Sequence, residues 1–198
     1  FFFKQKTAYE IRNCDWSSDV CSSDLDNGSV FTKDIAQTLS NSDVKFVQKS
    51  PDQVNLDSIT DYDSFILSGR RNNDSQMNAK NSKIILHAVN EKKKLLGICY
   101  GAEILALALG GTIRKSSVIR GQQEITSDDN ALCDGKNIVF ESHSYEISKL
   151  GDSLDSLAKS ENCKNEIVKH KELAIFGTQF HPEMTDDGKK MIENFANL

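Results

Sequence analysis

Residues that stiffen or cross-link a chain are scarce here: 2 prolines, 1 tryptophan and 5 cysteines among 198 residues. The cysteines stand at irregular spacings without a CxxC pair, which excludes a disulfide framework and fits a reducing, cytoplasmic compartment. No apolar run approaches the roughly 20 residues of a membrane span, so no membrane segment is expected. A basic excess is missing too. Acidic residues outnumber basic ones, 29 to 24, and the net charge of -5 argues against nucleic acid or anionic lipid as a partner, since both reward a basic patch. The basic run Lys92 to Lys94 sits beside a strand pattern and reads as a solvated loop. There is no GxxxxGK[ST] phosphate loop and no His, Cys or carboxylate grouping at metal-ligand spacing, so neither ATP nor a metal is expected on this chain. The length suits one domain with a full core.

Residues 1–25, FFFKQKTAYEIRNCDWSSDVCSSDL, lack an initiator Met and any sustained period of 2 or 3.6, and they hold the only tryptophan. Three phenylalanines are followed at once by Lys4 and Lys6 with no apolar stretch behind them, which rules out a signal peptide. The segment resembles translated sequencing-adapter read-through and is expected to lie outside the fold, leaving a domain over 26–198. That domain is then one strand short. Phe31, Ile35 and Leu39 mark a helix of the kind that follows a buried strand, whereas Val20, Cys21 and Leu25 are poor strand material. A short apolar strand is therefore expected before Asp26 in the native gene, and sequencing the intact locus tests this.

From Asp26 onward, strand patterns alternate with helix patterns. Val44, Phe46 and Val47 mark a strand, DSFILSG another, and Met77, Asn81, Ile84, Ile85, Ala88 and Val89 one side of a helix. KKLLGIC is the next strand and YGAEILALAL a helix apolar on most faces, hence buried against a sheet. This alternation predicts an α/β fold, a doubly wound and mostly parallel sheet in a three-layer α/β/α, flavodoxin-like arrangement. From Gly110 to Gln179 the runs GGTIRKS, QQEIT, KNIVF, EIVKH and LAIFGTQ read as an antiparallel extension. TDDGKKMIENFANL closes the chain as a helix, with Thr185 as N-cap and Met191, Ile192 and Phe195 inward.

The stretch GICYG places Cys99 between two glycines where a strand meets a helix. Glycines permit a tight strand-to-helix turn that leaves the central side chain exposed above the sheet, and a helix N-terminus favours thiolate over thiol. A cysteine at a strand end can equally be a small packing residue. The stretch IFGTQFHPEM decides between these, because a second strand ends in His181, Pro182 and Glu183. An imidazole can take the thiol proton and return it to a leaving amine, and a carboxylate two residues on can hold the reactive tautomer.

GICYG with QFHPE, preceded by ILSGR and opened by DNGS, resembles the class I glutamine amidotransferases over nearly everything from Asp26 to Leu198. The resemblance implies that Cys99 attacks the side-chain amide of L-glutamine and forms a thioester. His181 would act as base and acid, and Glu183 would orient it. The backbone N–H groups of Gly69 and Tyr100 would form the oxyanion hole, and Glu103, Ser144 and Tyr145 would be glutamine-binding candidates. It further implies ammonia delivery to a separate synthetase of the ATP-pyrophosphatase kind, which would carry the ATP and Mg.

Two positions depart from the family pattern. Arg70 stands where a second glycine is usual, which constrains its φ, and Glu103 stands where many relatives have glutamine. His143 reads as structural, His170 as a surface residue on a hairpin and His87 as a half-buried packing residue. Cys133 and Cys163 read as small buried or loop positions. Within the family the details look most like the subunits that supply ammonia for converting XMP to GMP. Glutaminases of anthranilate and aminodeoxychorismate synthases, γ-glutamyl hydrolases or peptidases of the same fold, and a catalytically silent module are the alternatives.

Overall fold

The computed structural model describes residues 22–42, 44–70 and 74–198. Five strands form a parallel ladder: β1 (Ser22–Leu25), β2 (Phe46–Lys49), β3 (Ser64–Leu67), β4 (Lys94–Ile98) and β9 (Ile175–Thr178), side by side in the order β2-β1-β3-β4-β9. Crossovers carry α1 (Thr32–Asn41), α2 (Ser75–Asn90) and α3 (Tyr100–Ala108), and α4 (Asp186–Ala196) ends the chain. Successive strand residues point to opposite faces, and the core divides accordingly. Phe65, Leu67, Leu95 and Ile175 pack under α2 and α3, while Ile66, Leu96, Ile98 and Phe176 pack under α1 and α4. Two apolar faces make these strands read as continuous apolar runs, as parallel strands covered on both sides do.

The helices begin where the sequence offers acceptors. Asp74 caps α2 by accepting from the backbone N–H groups of Gln76 and Met77, at 2.8 and 2.9 Å. Thr185 caps α4 through Gly188 N–H at 3.2 Å, and Met191, Ile192 and Phe195 are buried.

Past β9 the sheet continues antiparallel through β8 (Ile167–His170), β7 (Leu154–Lys159), β5 (Thr112–Ser127) and β6 (Gly135–Lys149). The expected short runs merge here: GGTIRKS and QQEIT are one strand, β5, and KNIVF continues through ESHSYEI as β6. LAIFGTQ contains β9, which belongs to both halves, parallel to β4 and antiparallel to β8. β7 had no clear signal, because LDSLAK carries two charges and a serine and buries only Leu154 and Ala158. His170, expected on the surface, is buried at the hairpin: its Nδ1 accepts from the backbone N–H groups of Glu172 and Leu173, both at 3.2 Å, and so closes the turn.

The sheet also begins before the boundary expected at Asp26. Ser22–Leu25 pair in parallel with both β2 and β3, while Val20 and Cys21 lie outside the described residues. Two flanking strands need ladder partners whatever side chains the middle strand brings, and the residues just before α1 are the ones that reach. The side chains fit poorly. Ser23 borders a cavity of about 10 Å³ with Val54, Ile59, Phe65 and Ile84 on its wall. Asp24 is fully buried level with Ile66, and neither carboxyl oxygen has a hydrogen-bond partner. Burial, and then the negative charges of Asp26 and Glu183, hold the Asp24 carboxyl well above the usual carboxylate range.

A group that keeps its proton longer when folded than when unfolded makes stability fall as pH rises above the unfolded value of about 3.9. Asp24→Val is therefore expected to raise stability at pH 7 by about 1–3 kcal/mol, the order of cost of an unsatisfied buried polar group. The gain should shrink towards pH 4, and urea unfolding at both pH values measures it.

Candidate active site

The turn between β4 and α3 is held at both ends of Cys99. Its backbone N–H donates to Thr178 O at 2.7 Å, extending the β4–β9 ladder by one residue, and its carbonyl accepts from Glu103 N–H at 3.0 Å as α3 begins. Between these anchors Cys99 adopts φ 48° and ψ -100°, and among the described residues only Lys92 shares a positive φ without being glycine. A non-glycine residue in such a region costs about 1–3 kcal/mol and persists where the surroundings impose it. Glycine is needed on each side for space. A Cβ on Gly97 would sit 2.6 Å from the Gly101 carbonyl carbon, and one on Gly101 would overlap Leu67 O. The two glycines let the first turn of α3 lie directly on β4 and on the end of β3.

His181 follows β9 and is fixed by its backbone N–H donating to Phe140 O at 2.8 Å. Its Nδ1 is 2.8 Å from Glu183 Oε1, and since a carboxylate only accepts, the proton resides on Nδ1 and leaves Nε2 for the thiol. Both side chains are buried. The Phe31 ring stands edge-on to the imidazole, 4.9 Å between centroids. Burial works against an imidazolium here, but the hydrogen bonds and charges of Cys99 and Glu183 outweigh it and lift His181 to about 10. The Cys99 side chain, expected to stand exposed above the sheet with its thiolate favoured, is buried instead, because the loops after β1 and β3 and the His181 turn close over it; burial pushes its thiol up, opposed by its hydrogen bond to His181 and the imidazole's charge. The imidazole thus stands beside the sulfur with Nε2 left to accept its proton.

Two further loops close on this pair at the carboxyl edge of the parallel strands, the edge where open α/β sheets bind ligands. The DNGS loop orders itself through Asp26, whose Oδ1 accepts from Gly28 N–H and Thr32 Oγ1–H, both at 2.8 Å. Asn27 then holds the loop after β3: its backbone N–H donates to Ser68 Oγ and its side chain to Ser68 O, both at 2.9 Å. Asn81 of α2 completes the buried network by donating to Asn27 Oδ1 at 2.9 Å. Gly69 comes next, and a Cβ there would lie 2.9 Å from His181 Cε1. Gly69 therefore faces the imidazole, while Tyr100 opens α3, where first-turn N–H groups lack intrahelical acceptors. Arg70 has no positive φ, so the freedom of a second glycine is not called on there.

The glutamine-binding candidates separate. Glu103 is buried, 4.0 Å from Arg70, and its carboxyl is raised by burial, opposed by the charges of Arg70 and His143 and a hydrogen bond with Gln179. Ser144 is half-buried on β6 and Tyr145 is exposed, with its carbonyl accepting from Gln179 Nε2 at 3.2 Å. His143 is buried with Nε2 2.8 Å from Glu141 Oε2, and His87 is half-buried with its ring edge-on to Phe65. Gln179 and Phe31 were not anticipated. Gln179 also accepts from Ile147 N–H at 3.0 Å, so it joins β6 to α3 beside the site. Its signal was its place in QFHPE, and that of Phe31 its adjacency to DNGS. Among the described residues no group of His, Cys, Asp and Glu could hold a metal ion.

A buried thiol at a strained strand-to-helix turn, backed by a His–Glu pair in an open α/β sheet, is an arrangement suited to cysteine-dependent acyl transfer. The model of the glutamine amidotransferase class-I family matches residues 24–198, and the chain belongs to that family. A subunit of the glutamine-hydrolysing GMP synthase of Pyrococcus furiosus is 37% identical over 59% of this chain and 65% of its own length. The subunit of the same name from Methanocaldococcus jannaschii is 31% identical over 88% of this chain and 95% of its own. The crystal structure of a candidate GMP synthase subunit from Thermoplasma acidophilum superposes with a TM-score of 0.81 at 26% identity, over 91% of this chain and 94% of that one.

Gly69→Ala is expected to displace His181 and lower glutamine hydrolysis about 100-fold, the cost of roughly 1 Å of misplacement, with circular dichroism unchanged. The pH dependence has a definite sign. His181 is raised from 6.5, so its stabilising contribution is complete below about 6.5 and is lost as pH climbs through about 10. Thermal midpoints should fall between pH 7 and pH 10 in the wild type and fall less in His181→Gln.

Proposed function

We propose that this chain is a glutaminase subunit that hydrolyses L-glutamine and hands the ammonia to a separate synthetase, with the amination of XMP to GMP as the step served. One observation carries the chemistry: Cys99, held at a strained turn, stands beside an imidazole whose Nδ1 is 2.8 Å from the Glu183 carboxylate. His181 Nε2 takes the thiol proton as sulfur attacks Cδ of the glutamine side chain. The carbonyl oxygen becomes an oxyanion facing the backbone N–H groups of Gly69 and Tyr100. Collapse of that intermediate breaks the C–N bond, and His181 returns the proton to the departing nitrogen, which leaves as ammonia. Water, deprotonated by the same imidazole, then splits the thioester to glutamate and restores the thiol. Glu183 stabilises the imidazolium at each transfer without taking the proton. Glu103, Ser144 and Tyr145 are the candidates for binding the glutamine substrate.

The acceptor reading rests on the two named relatives, both subunits of GMP synthases, and on the extent of the second match. ATP and Mg would bind the synthetase, whose ATP-pyrophosphatase class follows from the resemblance. No helix among the described residues is long and apolar enough to cross a membrane, and the thiol nucleophile suits a reducing, cytoplasmic setting.

A glutamine-analogue electrophile should label the wild type and not Cys99→Ser; labelling that persists in the variant refutes the nucleophile. With a cognate synthetase, glutamine should support conversion of XMP to GMP, and Cys99→Ser should abolish that while leaving ammonia-dependent conversion intact. Product formed from ammonia but never from glutamine would refute the pairing.

A further inference from the structure

The two departures from the family pattern, Arg70 and Glu103, meet in space. Arg70 follows Gly69 in the loop after β3, and its Nη2 lies 4.0 Å from Glu103 Oε2 in the first turn of α3. The same guanidinium stacks 4.3 Å from the centroid of the Tyr100 ring and reaches Asn78 Oδ1 of α2 at 3.4 Å. Tyr100 Oη–H donates to that same Asn78 oxygen at 2.7 Å. One planar cation therefore joins three elements: the loop carrying Gly69, the helix turn carrying Tyr100, and α2. Gly69 and Tyr100 are the two residues whose N–H groups the proposed mechanism points at the oxyanion. The glutamine amide that Glu103 replaces would offer Arg70 no charge to meet, and a second glycine in place of Arg70 would leave the Glu103 carboxylate buried without that cation. Each departure supplies what the other requires.

We propose that Arg70 is a positioning residue which, paired with Glu103 and stacked on Tyr100, fixes the spacing of the two oxyanion-hole donors that lie on separate elements. This rests on the assignment of Gly69 and Tyr100 made above. A lysine keeps the charge but lacks the planar face and fork needed to stack and pair at once.

The clamp acts on the oxyanion and not on the sulfur, and this separates its readouts. Glutamine hydrolysis needs both; alkylation of Cys99 by iodoacetamide needs the thiolate alone. Both are measured with the synthetase present, on the wild type, Arg70→Gln, Arg70→Lys, Glu103→Gln and the double variant Arg70→Gln/Glu103→Gln. Arg70→Gln should lower kcat about 10- to 100-fold while KM and the alkylation rate stay within about threefold. Arg70→Lys should show the same split with a smaller loss, and it carries the test if Arg70→Gln does not fold. The double variant should lose less than the product of the two single losses, since both remove one interaction. A rise in KM at constant kcat would place the guanidinium on the substrate instead and overturn the clamp. A parallel loss of alkylation, or no loss in kcat, would overturn it too. A wild type that is neither alkylated at Cys99 nor able to hydrolyse glutamine refutes the glutaminase reading itself, whereas an active wild type with an unaffected Arg70→Gln refutes the clamp alone.

Discussion

Helix α3 lies closer to the sheet than side chains at its first turn would permit, and the site depends on that approach. With hydrogen at Gly97 and Gly101, the helix rests on β4 and against Leu67 O, the last carbonyl of β3. The chain must then turn from strand to helix within one residue, which is why Cys99 has a left-handed φ. Its backbone is locked by Thr178 on one side and by the α3 ladder on the other, so the strain is imposed by two regular elements and not by a flexible loop. The sulfur is thereby aimed at the carboxyl edge of the sheet, where β9 delivers His181 from 82 positions further along the chain.

Burial of charge is the second constraint. Asp24, Glu103, Glu141, Glu166 and Glu183 are all buried. Glu183 faces His181, Glu103 faces Arg70, and Glu141 lies beside His143. Burial and the charge of Glu141 raise the Glu166 carboxyl above the usual carboxylate range. A low-dielectric setting strengthens the pairs that are made and penalises a carboxylate without one, which is why Asp24 in β1 is a poor fit for its slot. The strand order β2-β1-β3 requires a strand there, and an apolar residue would satisfy both the ladder and the layer beneath α1 and α4.

Much of this was readable from short sequence patterns. The alternation of apolar runs gave the parallel ladder, because β3, β4 and β9 are apolar on both faces, and the i, i+4 spacing of Ile35 and Leu39 gave α1. The antiparallel half was harder. β5 and β6 run for 16 and 15 residues across polar stretches, and a bulge between Lys115 and Ile119 breaks the period of 2 that a strand would show. β7 buries too few residues to stand out. His170 looked superficial because a hairpin polar residue usually is; its burial comes from two backbone N–H groups that only the folded turn presents to it.

Local sequence determined the buried parallel strands, the helices between them and the spacing of the candidate groups: a Gly-x-Cys-x-Gly run permits a tight turn, and a His-Pro-Glu run places a carboxylate two residues from an imidazole. Tertiary structure decided which groups meet. The contact of Phe31 with His181, the bridge of Gln179 between β6 and α3, and the pairing of Arg70 with Glu103 join residues 32 to 150 positions apart, and no periodicity carries information over such separations. They exist because a parallel sheet brings the carboxyl ends of distant strands to a single edge, where side chains are sorted by distance and charge and not by order along the chain.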